Sequence, residues 1–259
     1  MLHILLNGCY GRLSGAIIEF AQEQPGVQII AGVDPGAGRT PLPFPVYQSL
    51  DEIGKVTPDV ILDSSHPTAL PKLLDYATAQ KLPLVIATTG HSEADYAMID
   101  QAAAHIPVFQ SGNMSLGIAL LQQLARQTAQ VLGESFDVEI IEAHHNKKID
   151  APSGTALILG GAVNEGLAVP RAYEFNRQPK HEARPKEEIG MHSVRGGTIT
   201  GEHTVLFAGF DEVIELTHKA YSKRIFAVGA VNAARFIVKC KPGRYAMADM
   251  VNPCESNFA

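Results

Sequence analysis

Cysteine is scarce, with Cys9, Cys240 and Cys254 the only three in 259 residues. An odd number without paired spacing excludes a disulfide framework and suits a reducing compartment, so a cytoplasmic location is expected. Basic residues are in deficit, 21 Lys and Arg against 27 Asp and Glu, for a formal charge of −6. A nucleic-acid binder needs a basic surface to neutralise phosphates, so that class is not expected. Long apolar runs are missing too. No segment approaches the roughly 20 apolar residues of a membrane span, and Met1-Leu2-His3-Ile4 lacks the basic start of a signal peptide. Repeats and low-complexity tracts are absent. What is present is a globular composition, 46% hydrophobic and 19% charged, long enough for one large domain or two modest ones.

The first part of the chain alternates strands and helices. Residues 2–6 read as a short apolar strand, followed by a glycine turn through Gly15 and a helical run over 16–22. A second apolar strand, 27–33, closes at Asp34. Strand, glycine turn, helix, strand and acid is the layout of a dinucleotide-binding fold. Gly8 permits a tight turn, Gly11 lets the backbone approach a pyrophosphate, and the helix start faces the phosphates. Asp34 stands 34 − 15 = 19 residues beyond Gly15, near the ~20 at which an acid meets the ribose hydroxyls. The glycines fall as G-x-x-G-x-x-x-G, so the motif alone is only moderately specific. Its register with the acid favours the cofactor over an ordinary strand–turn–helix.

Further strands are expected at 60–62, 84–87 and 108–109, with helices over about 68–80 and 93–105. Such alternation implies a mostly parallel sheet, with ligands at the carboxyl ends of its strands. Ser, Thr, Gly and Asn residues gather at those ends; His66 and His91 read as satisfied loop histidines. After a long amphipathic helix over 115–132 the pattern changes. Residues 191–195, 198–208 and 212–219 read as successive strands, separated by Gly196-Gly197 and Gly209-Phe210-Asp211 as antiparallel neighbours are. The charged, proline-bearing stretch 176–186 reads as a mobile surface segment. This is a second domain, a sheet with few helices. A helix over 223–239, with 245–250, returns to finish the first.

The densest chemistry lies between the two patterns. Residues 138–141 read as a buried strand, and Ser153-Gly154-Thr155, with Pro152 upstream, opens a helical run over 156–163. Between them His144, His145, Lys147, Lys148 and Asp150 put five ionisable groups within seven residues. Strand end, polar loop and helix start form small-anion sites in open α/β proteins. The free N–H groups donate to carboxylate or phosphate oxygens, and lysines add positive charge. Adjacent histidines on a strand face opposite ways, so one of the two is structural or solvated. Paired lysines, taken singly, are usually a solvated loop. Their density before a helix start makes this loop the chemical centre, binding an anionic substrate and giving it protons. Asp150 orients the loop, within reach of Lys147 or Lys148. A metal is not expected, since His144 and His145 do not aim at one ion and no zinc spacing is completed.

Glu142-Ala143-His144-His145-Asn146-Lys147-Lys148-Ile149-Asp150-Ala151-Pro152-Ser153-Gly154-Thr155-Ala156 resembles the signature of the dihydrodipicolinate reductase family, of diaminopimelate and lysine biosynthesis. The likeness continues through Gly8-Cys9-Tyr10-Gly11-Arg12, Ala87-Thr88-Thr89-Gly90 and Asn113-Met114-Ser115-Leu116-Gly117. It extends to Arg195-Gly196-Gly197, Gly201-Glu202-His203-Thr204 and Thr217-His218-Lys219-Ala220, and so covers nearly the whole chain in order. The resemblance implies an α/β protein: a Rossmann-like dinucleotide-binding domain over 1–115, completed by 223–259. It also implies an α+β substrate and tetramerisation domain over 116–222, built on a mixed sheet. The implied reaction reduces 4-hydroxy-tetrahydrodipicolinate, a small dicarboxylate, to tetrahydrodipicolinate with loss of water, using NADH or NADPH. No nucleic acid or membrane partner is implied.

Carried onto matching positions, His144 is the general acid/base and Lys148 a proton donor that also binds substrate. His145, Ser153, Gly154 and Thr155 bind substrate as well. Gly8, Cys9, Tyr10, Gly11, Arg12, Leu13, Asp34, Ala87, Thr88, Thr89, Ser111, Gly112, Asn113 and Met114 line the cofactor. Two positions depart from the family pattern. Ser14 stands where a glycine is usual, with Gly15 one place late, which alters the expected helix–strand packing. Pro35 stands where members that hold the NADPH 2′-phosphate often carry a basic residue. Asp34 repels that phosphate, so NADH is the expected cofactor, with Arg12 and Arg39 the charges able to offset the repulsion. Two other readings stay open. One is another NAD(P)H-dependent reductase of an imine or keto-dicarboxylate, separable by substrate selectivity. The other is a non-catalytic NADH sensor, which has no use for a His144–Lys148 pair.

Overall fold

Apolar runs that end in glycine-bearing turns become the strands of two sheets, each with a core of its own. The computed structural model describes residues 1–254, 257 and 258, and the chain divides into two compact units: Met1–Leu116 with Arg224–Ala259, and Gly117–Lys223. The first unit begins with β1 (Leu2–Asn7), α1 (Arg12–Gln22), β2 (Val27–Val33) and β3 (Val46–Tyr47). It continues with β4 (Val60–Asp63), α2 (Leu70–Gln80), β5 (Leu84–Ile86), α3 (Glu93–Ala103) and β6 (Pro107–Gln110). In the second unit follow α4 (Leu116–Leu132), β7 (Asp137–His144), α5 (Gly154–Gly166), β8 (Ala172–Glu174), β9 (Glu188–Arg195), β10 (Gly201–Ala208) and β11 (Val213–Ala220). The chain then returns to the first unit with α6 (Arg224–Ile237), β12 (Gly243–Tyr245) and α7 (Met247–Val251).

Every pairing in the first sheet is parallel, in the order β12-β6-β5-β4-β1-β2-β3. A parallel sheet is covered on both faces, and β4 and β5 are buried along their whole length. Leu5, Val33, Ile61, Leu84 and Val108 pack with Leu73 and Ile99 of α2 and α3. α1 packs against β2 and α6, and α6 against β4 to β6. Strand order reverses between β1 and β4, the switch point at which open α/β sheets bind ligands. α1 starts earlier than its apolar period implied, so Ser14 and Gly15 are helical. β3, β8 and β12 are two or three residues long, too short to show a period.

The second sheet has the order β11-β10-β7-β9-β8. β10 and β11 are antiparallel neighbours, as expected, but β9 and β10 are not neighbours at all. β9 runs parallel to β7, and β10 takes the opposite edge of β7. The α5 crossover returns the chain parallel to β7, and the glycine pair then crosses the end of that strand rather than closing a hairpin. There the Gly196 N–H donates to the His144 carbonyl at 2.9 Å. Val138, Ile140, Ile189, Met191, Val205 and Phe207 form the apolar face, covered by Ile118 and Leu121 of α4 and Leu159 and Val163 of α5.

The stretch 176–186, expected to be mobile, is tied to this sheet. Arg184 donates to Glu139 Oε1 at 2.8 Å and to the carbonyls of Val138 and Glu188 at 3.0 and 2.7 Å. Arg177 and Lys180 pair with Glu188 and Glu174. Composition reveals the charges of such a stretch but not the partners, which lie on other strands. No helix of the described residues is long and apolar enough to cross a membrane.

Candidate active site

Along β7 the buried face turns from apolar to ionisable. Alternate residues of a strand share a face, so Val138 and Ile140 in the core are followed by Glu142 and His144. Register sets Ser193 and Arg195 of β9 beside them on one side, and His203 of β10 beside Glu142 on the other. Glu142 is only 1% exposed, and its oxygens are fully engaged. Arg195 donates to both, at 2.8 and 2.6 Å; His144 Nδ1 lies 2.5 Å from Oε2, and the Ser153 N–H donates to Oε1 at 3.1 Å. Burial on its own raises a carboxyl, but hydrogen bonds from Arg195, His144, Ser193 and Ser153 outweigh it and hold Glu142 down at about 2. A carboxylate only accepts, so His144 carries its proton on Nδ1 and leaves Nε2 free. Gly201 makes room there: a Cβ on it would lie 3.1 Å from His144 Nε2.

The loop beyond β7 folds back on the same group. Lys148 Nζ pairs with Asp150 Oδ1 at 2.8 Å, and that contact holds the Asp150 carboxyl below the usual range. Arg195 also donates to the Asp150 carbonyl at 2.6 Å. His145 is half-buried at the start of the loop. Ser153 caps α5, its Oγ accepting from the Ala156 N–H at 3.2 Å and lying 3.0 Å from His203 Nε2. The first turn of α5 carries no acid of its own, but its first N–H, on Gly154, already donates to the Asp150 carboxylate, showing that this helix start accepts an anion. The His203 ring stands edge-on to His144, centroids 5.2 Å apart; burial first, then the His144 charge, push His203 down to about 4.

At the switch point of the first sheet lies a cleft of about 750 Å³, lined by Asn7, Gly8, Gly11, Asp34, Pro35, Ser64, Ser65, His66 and, from α2, Lys72 and Tyr76 among others. Gly8 has φ +77°, and a Cβ on it would lie 2.6 Å from Ser65 Cα, so only glycine fits. Gly11 caps α1 without a side chain, and the first turn bears no acid, which leaves N–H groups for a phosphate. Asp34 accepts from the Gly36 N–H on Oδ1 at 2.8 Å and from the Tyr10 N–H on Oδ2 at 3.3 Å. Its remaining lone pairs suit ribose hydroxyls. Buried Asp63 ties the strand ends together, accepting from Asn7 at 2.7 Å, Ser65 at 2.6 Å and Thr88 at 2.5 Å. Glycine clearance, open helix N–H groups and an acid at the end of β2 fit a dinucleotide.

Family models match most of the chain: "Dihydrodipicolinate reductase, N-terminus" over residues 2–114, and "Dihydrodipicolinate reductase, C-terminus" over residues 117–251. The chain belongs to the dihydrodipicolinate reductase family. It is 47% identical to the 4-hydroxy-tetrahydrodipicolinate reductase of Caldanaerobacter subterraneus subsp. tengcongensis, over 97% of this chain and 98% of that one. The Exiguobacterium reductase is 46% identical over 96% and 95%. The dipicolinate-bound dihydrodipicolinate reductase of Paenisporosarcina sp. TG-14 shares the fold with a TM-score of 0.80, at 22% identity over 95% and 97% of the two chains. The DAP dehydrogenase of C. glutamicum in complex with DAP shares it more loosely, at 0.58, with 13% identity over 98% and 96%.

In this reductase the expected cofactor residues do not all line one wall. The cleft gathers Gly8, Gly11 and Asp34. Cys9 is buried, and burial and then the Asp34 charge push its thiol up to about 11. It therefore offers backbone alone. The Tyr10 hydroxyl donates to the Thr40 carbonyl at 2.7 Å, while Arg12 and Leu13 open α1. Ala87, Thr88 and Thr89 follow β5, and Ser111 to Met114 follow β6. The Ser111 N–H donates to the Ile86 carbonyl at 3.2 Å, its hydroxyl to the Asn113 carbonyl at 2.8 Å, and a Cβ on Gly112 would lie 3.8 Å from Thr89 Cγ2. Met114 is buried under α6, where a Cβ on Gly229 would collide with its carbonyl.

The departure at Ser14 resolves into a polar bridge. Its buried hydroxyl donates to the Gly8 carbonyl at 2.7 Å and meets Ser64 Oγ at 2.6 Å. Gly15 has nothing within 4 Å of a Cβ, so its lateness disturbs no packing. His66 is satisfied by Thr68, at 3.0 Å. His91 is not: its ring is buried without a hydrogen bond, with Asp95 at 4.0 Å. Sequence reading did not single out Glu142, Arg195 or His203 for the site. An acid two residues before His144 on an apolar strand was the available signal for Glu142. Arg195 and His203 arrive only through strand register.

Proposed function

We propose that this reductase uses His144 as general acid/base and the start of α5 as the seat of its dicarboxylate substrate. The reaction is that of its family, NAD(P)H-dependent reduction of 4-hydroxy-tetrahydrodipicolinate to tetrahydrodipicolinate with loss of water. The nicotinamide, when bound, supplies a hydride. The protein's own residues hold two carboxylates and deliver a proton. His144 Nε2, opposite the Glu142 clamp, takes up a proton and passes it to the substrate while Glu142 keeps the Nδ1–H, and Lys148 donates or holds charge beside it. Gly154, whose N–H donates to the Asp150 carboxylate, orients a substrate carboxylate once Asp150 gives way, with Thr155 and His145 beside it. Ser153 shapes this seat from beneath, since its N–H and hydroxyl are taken up inside the protein. The observation that carries the reading is the Glu142–His144 pair beside a helix start that Ser153 caps and whose Gly154 N–H already holds a carboxylate, that of Asp150.

The dinucleotide is held by Gly8 to Leu13, Asp34, Ala87 to Thr89 and Ser111 to Met114. NADH is the preferred form, because Asp34 and Pro35 line the cleft with no basic residue directly after the acid. Arg39 folds over Gly36, where a Cβ would lie 2.9 Å from Arg39 Cδ, and is the charge placed to soften that preference. The enzyme works as a cytoplasmic homotetramer assembled through the second unit, a reading supported by exposed Ile141, Val194 and Val213 on the outer face of its sheet. A coupled assay tests the function: purified protein, the synthase product of pyruvate and aspartate semialdehyde, and either NADH or NADPH. The expected result is absorbance loss that needs both substrate and cofactor and runs faster with NADH. Tight NADH binding with no turnover would refute it in favour of a sensor or a reductase of another imine.

A further inference from the structure

The geometry points to Glu142 as a positioning residue, one carboxylate that orients the acid/base His144 and at the same time seats the substrate loop, locked by Arg195. This rests on the function proposed above. Oε2 meets His144 Nδ1 at 2.5 Å, and Oε1 takes the N–H of Ser153, 11 residues further along, at 3.1 Å. The intervening loop is thereby closed on a single group. Arg195 bonds both oxygens and also the Asp150 carbonyl, so the loop is stapled at 144, 150 and 153. Both oxygens are occupied inside the protein, so Glu142 acts through other residues and not on the substrate.

The donors around the carboxylate explain why it has to be a carboxylate. Arg195, His144 and the Ser153 N–H all donate to it, and Ser193 adds another hydrogen bond. His203, beside it in register, is pushed down and uncharged near neutrality. A glutamine would fill the same volume and still accept from Ser153. Its NH₂ group would then face another donor, and the imidazole would have to turn its lone pair to Nδ1 and its proton to Nε2. The free nitrogen facing the reaction would be lost, together with the acceptor that fixes the ring's orientation.

The test uses the whole protein with Glu142→Gln and Glu142→Asp. For Glu142→Gln the expected loss is about 10²-fold in kcat, the low end of acid–base effects, with KM changed only a few-fold. Ring ¹⁵N NMR should show the proton on neutral His144 passing from Nδ1 to Nε2. Glu142→Asp, which keeps the charge, should recover part of kcat. If Glu142→Gln does not fold, Arg195→Lys replaces it, with a smaller kcat loss in the same direction. A folded Glu142→Gln with unchanged kcat would overturn the inference, as would wild-type His144 with its neutral proton on Nε2. The NMR readout needs no turnover. A protein with Nδ1–H but no reductase activity would therefore sink the proposed reaction and leave this arrangement standing.

Discussion

At the switch point of the parallel sheet the candidate cofactor site is mostly backbone: Gly8 at positive φ, Gly11, and the start of α1 without a side-chain cap. At the end of β7 in the mixed sheet it is side chains, with Glu142, Arg195 and His203 brought from three strands around His144. The first site is specified chiefly by clearance, so it is most sensitive to the size of a residue. The second is specified by matched donors and acceptors, so it is sensitive to charge and to acid. The two candidate sites thus differ in kind: glycine spacing can encode the first, while strand register has to bring Arg195 and His203 to the second.

The largest expected effect falls on the side-chain site. His144→Ala or Lys148→Ala should lower kcat by about 10²-fold or more, while NADH affinity, measured by titration, stays within about twofold because the cleft is built elsewhere. Normal turnover in both variants would end the role assignment.

Acid should separate the sites next. His203 is held down at about 4 by burial, against 6.5 for a free imidazole. The unfolded chain therefore takes up a proton first, and stability present above pH 6.5 is lost as pH falls through that window toward 4. The term is worth at most about 3 kcal/mol. Glu142 adds a second loss, between 4.5 and about 2. Urea unfolding across this range should show both slopes, and His203→Asn should flatten the upper one. An unchanged upper slope in that variant would assign it to another group.

Gly8→Ala should weaken NADH binding by about tenfold or more, because a left-handed alanine costs roughly 1–2 kcal/mol before the Cβ meets Ser65. Catalysis at saturating cofactor should suffer less. Pro35→Arg should shift the NADPH:NADH ratio of kcat/KM by about tenfold toward NADPH, the size of one charge-assisted contact. A wild-type Kd tighter for NADPH than for NADH would refute the stated preference. Gly15→Ala is the smallest effect and the control for Gly8. It sits in a helix with open space around it, so it should raise stability by about 0.5–1 kcal/mol and leave NADH affinity alone.

Much of this was legible in the chain itself. The run of ionisable residues from His144 to Asp150, Ser153 at a helix start, and Asp34 at the end of an apolar strand were readable because each signal lies within a few neighbouring residues. The antiparallel neighbourhood of 191–195 and 198–208 expected across Gly196-Gly197 does not form, for the complementary reason. A glycine pair announces a turn, and nothing local says that β7 occupies the place between β9 and β10. The bridge from Ser14 to Ser64 and the anchoring of Arg184 were hidden in the same way, since their partners lie 50 and about 45 residues away in the chain.

By itself, the sequence determined the element types, the glycine-lined turn after β1, the acid after β2 and the charged loop before α5, all set by periodicity and backbone preference over short spans. Only the tertiary structure decided that Arg195, 53 residues from Glu142, would clamp it, and that His203 would sit beside it. An alternating strand pairs equally well with many neighbours. Its register is chosen by which apolar face is buried in the assembled core.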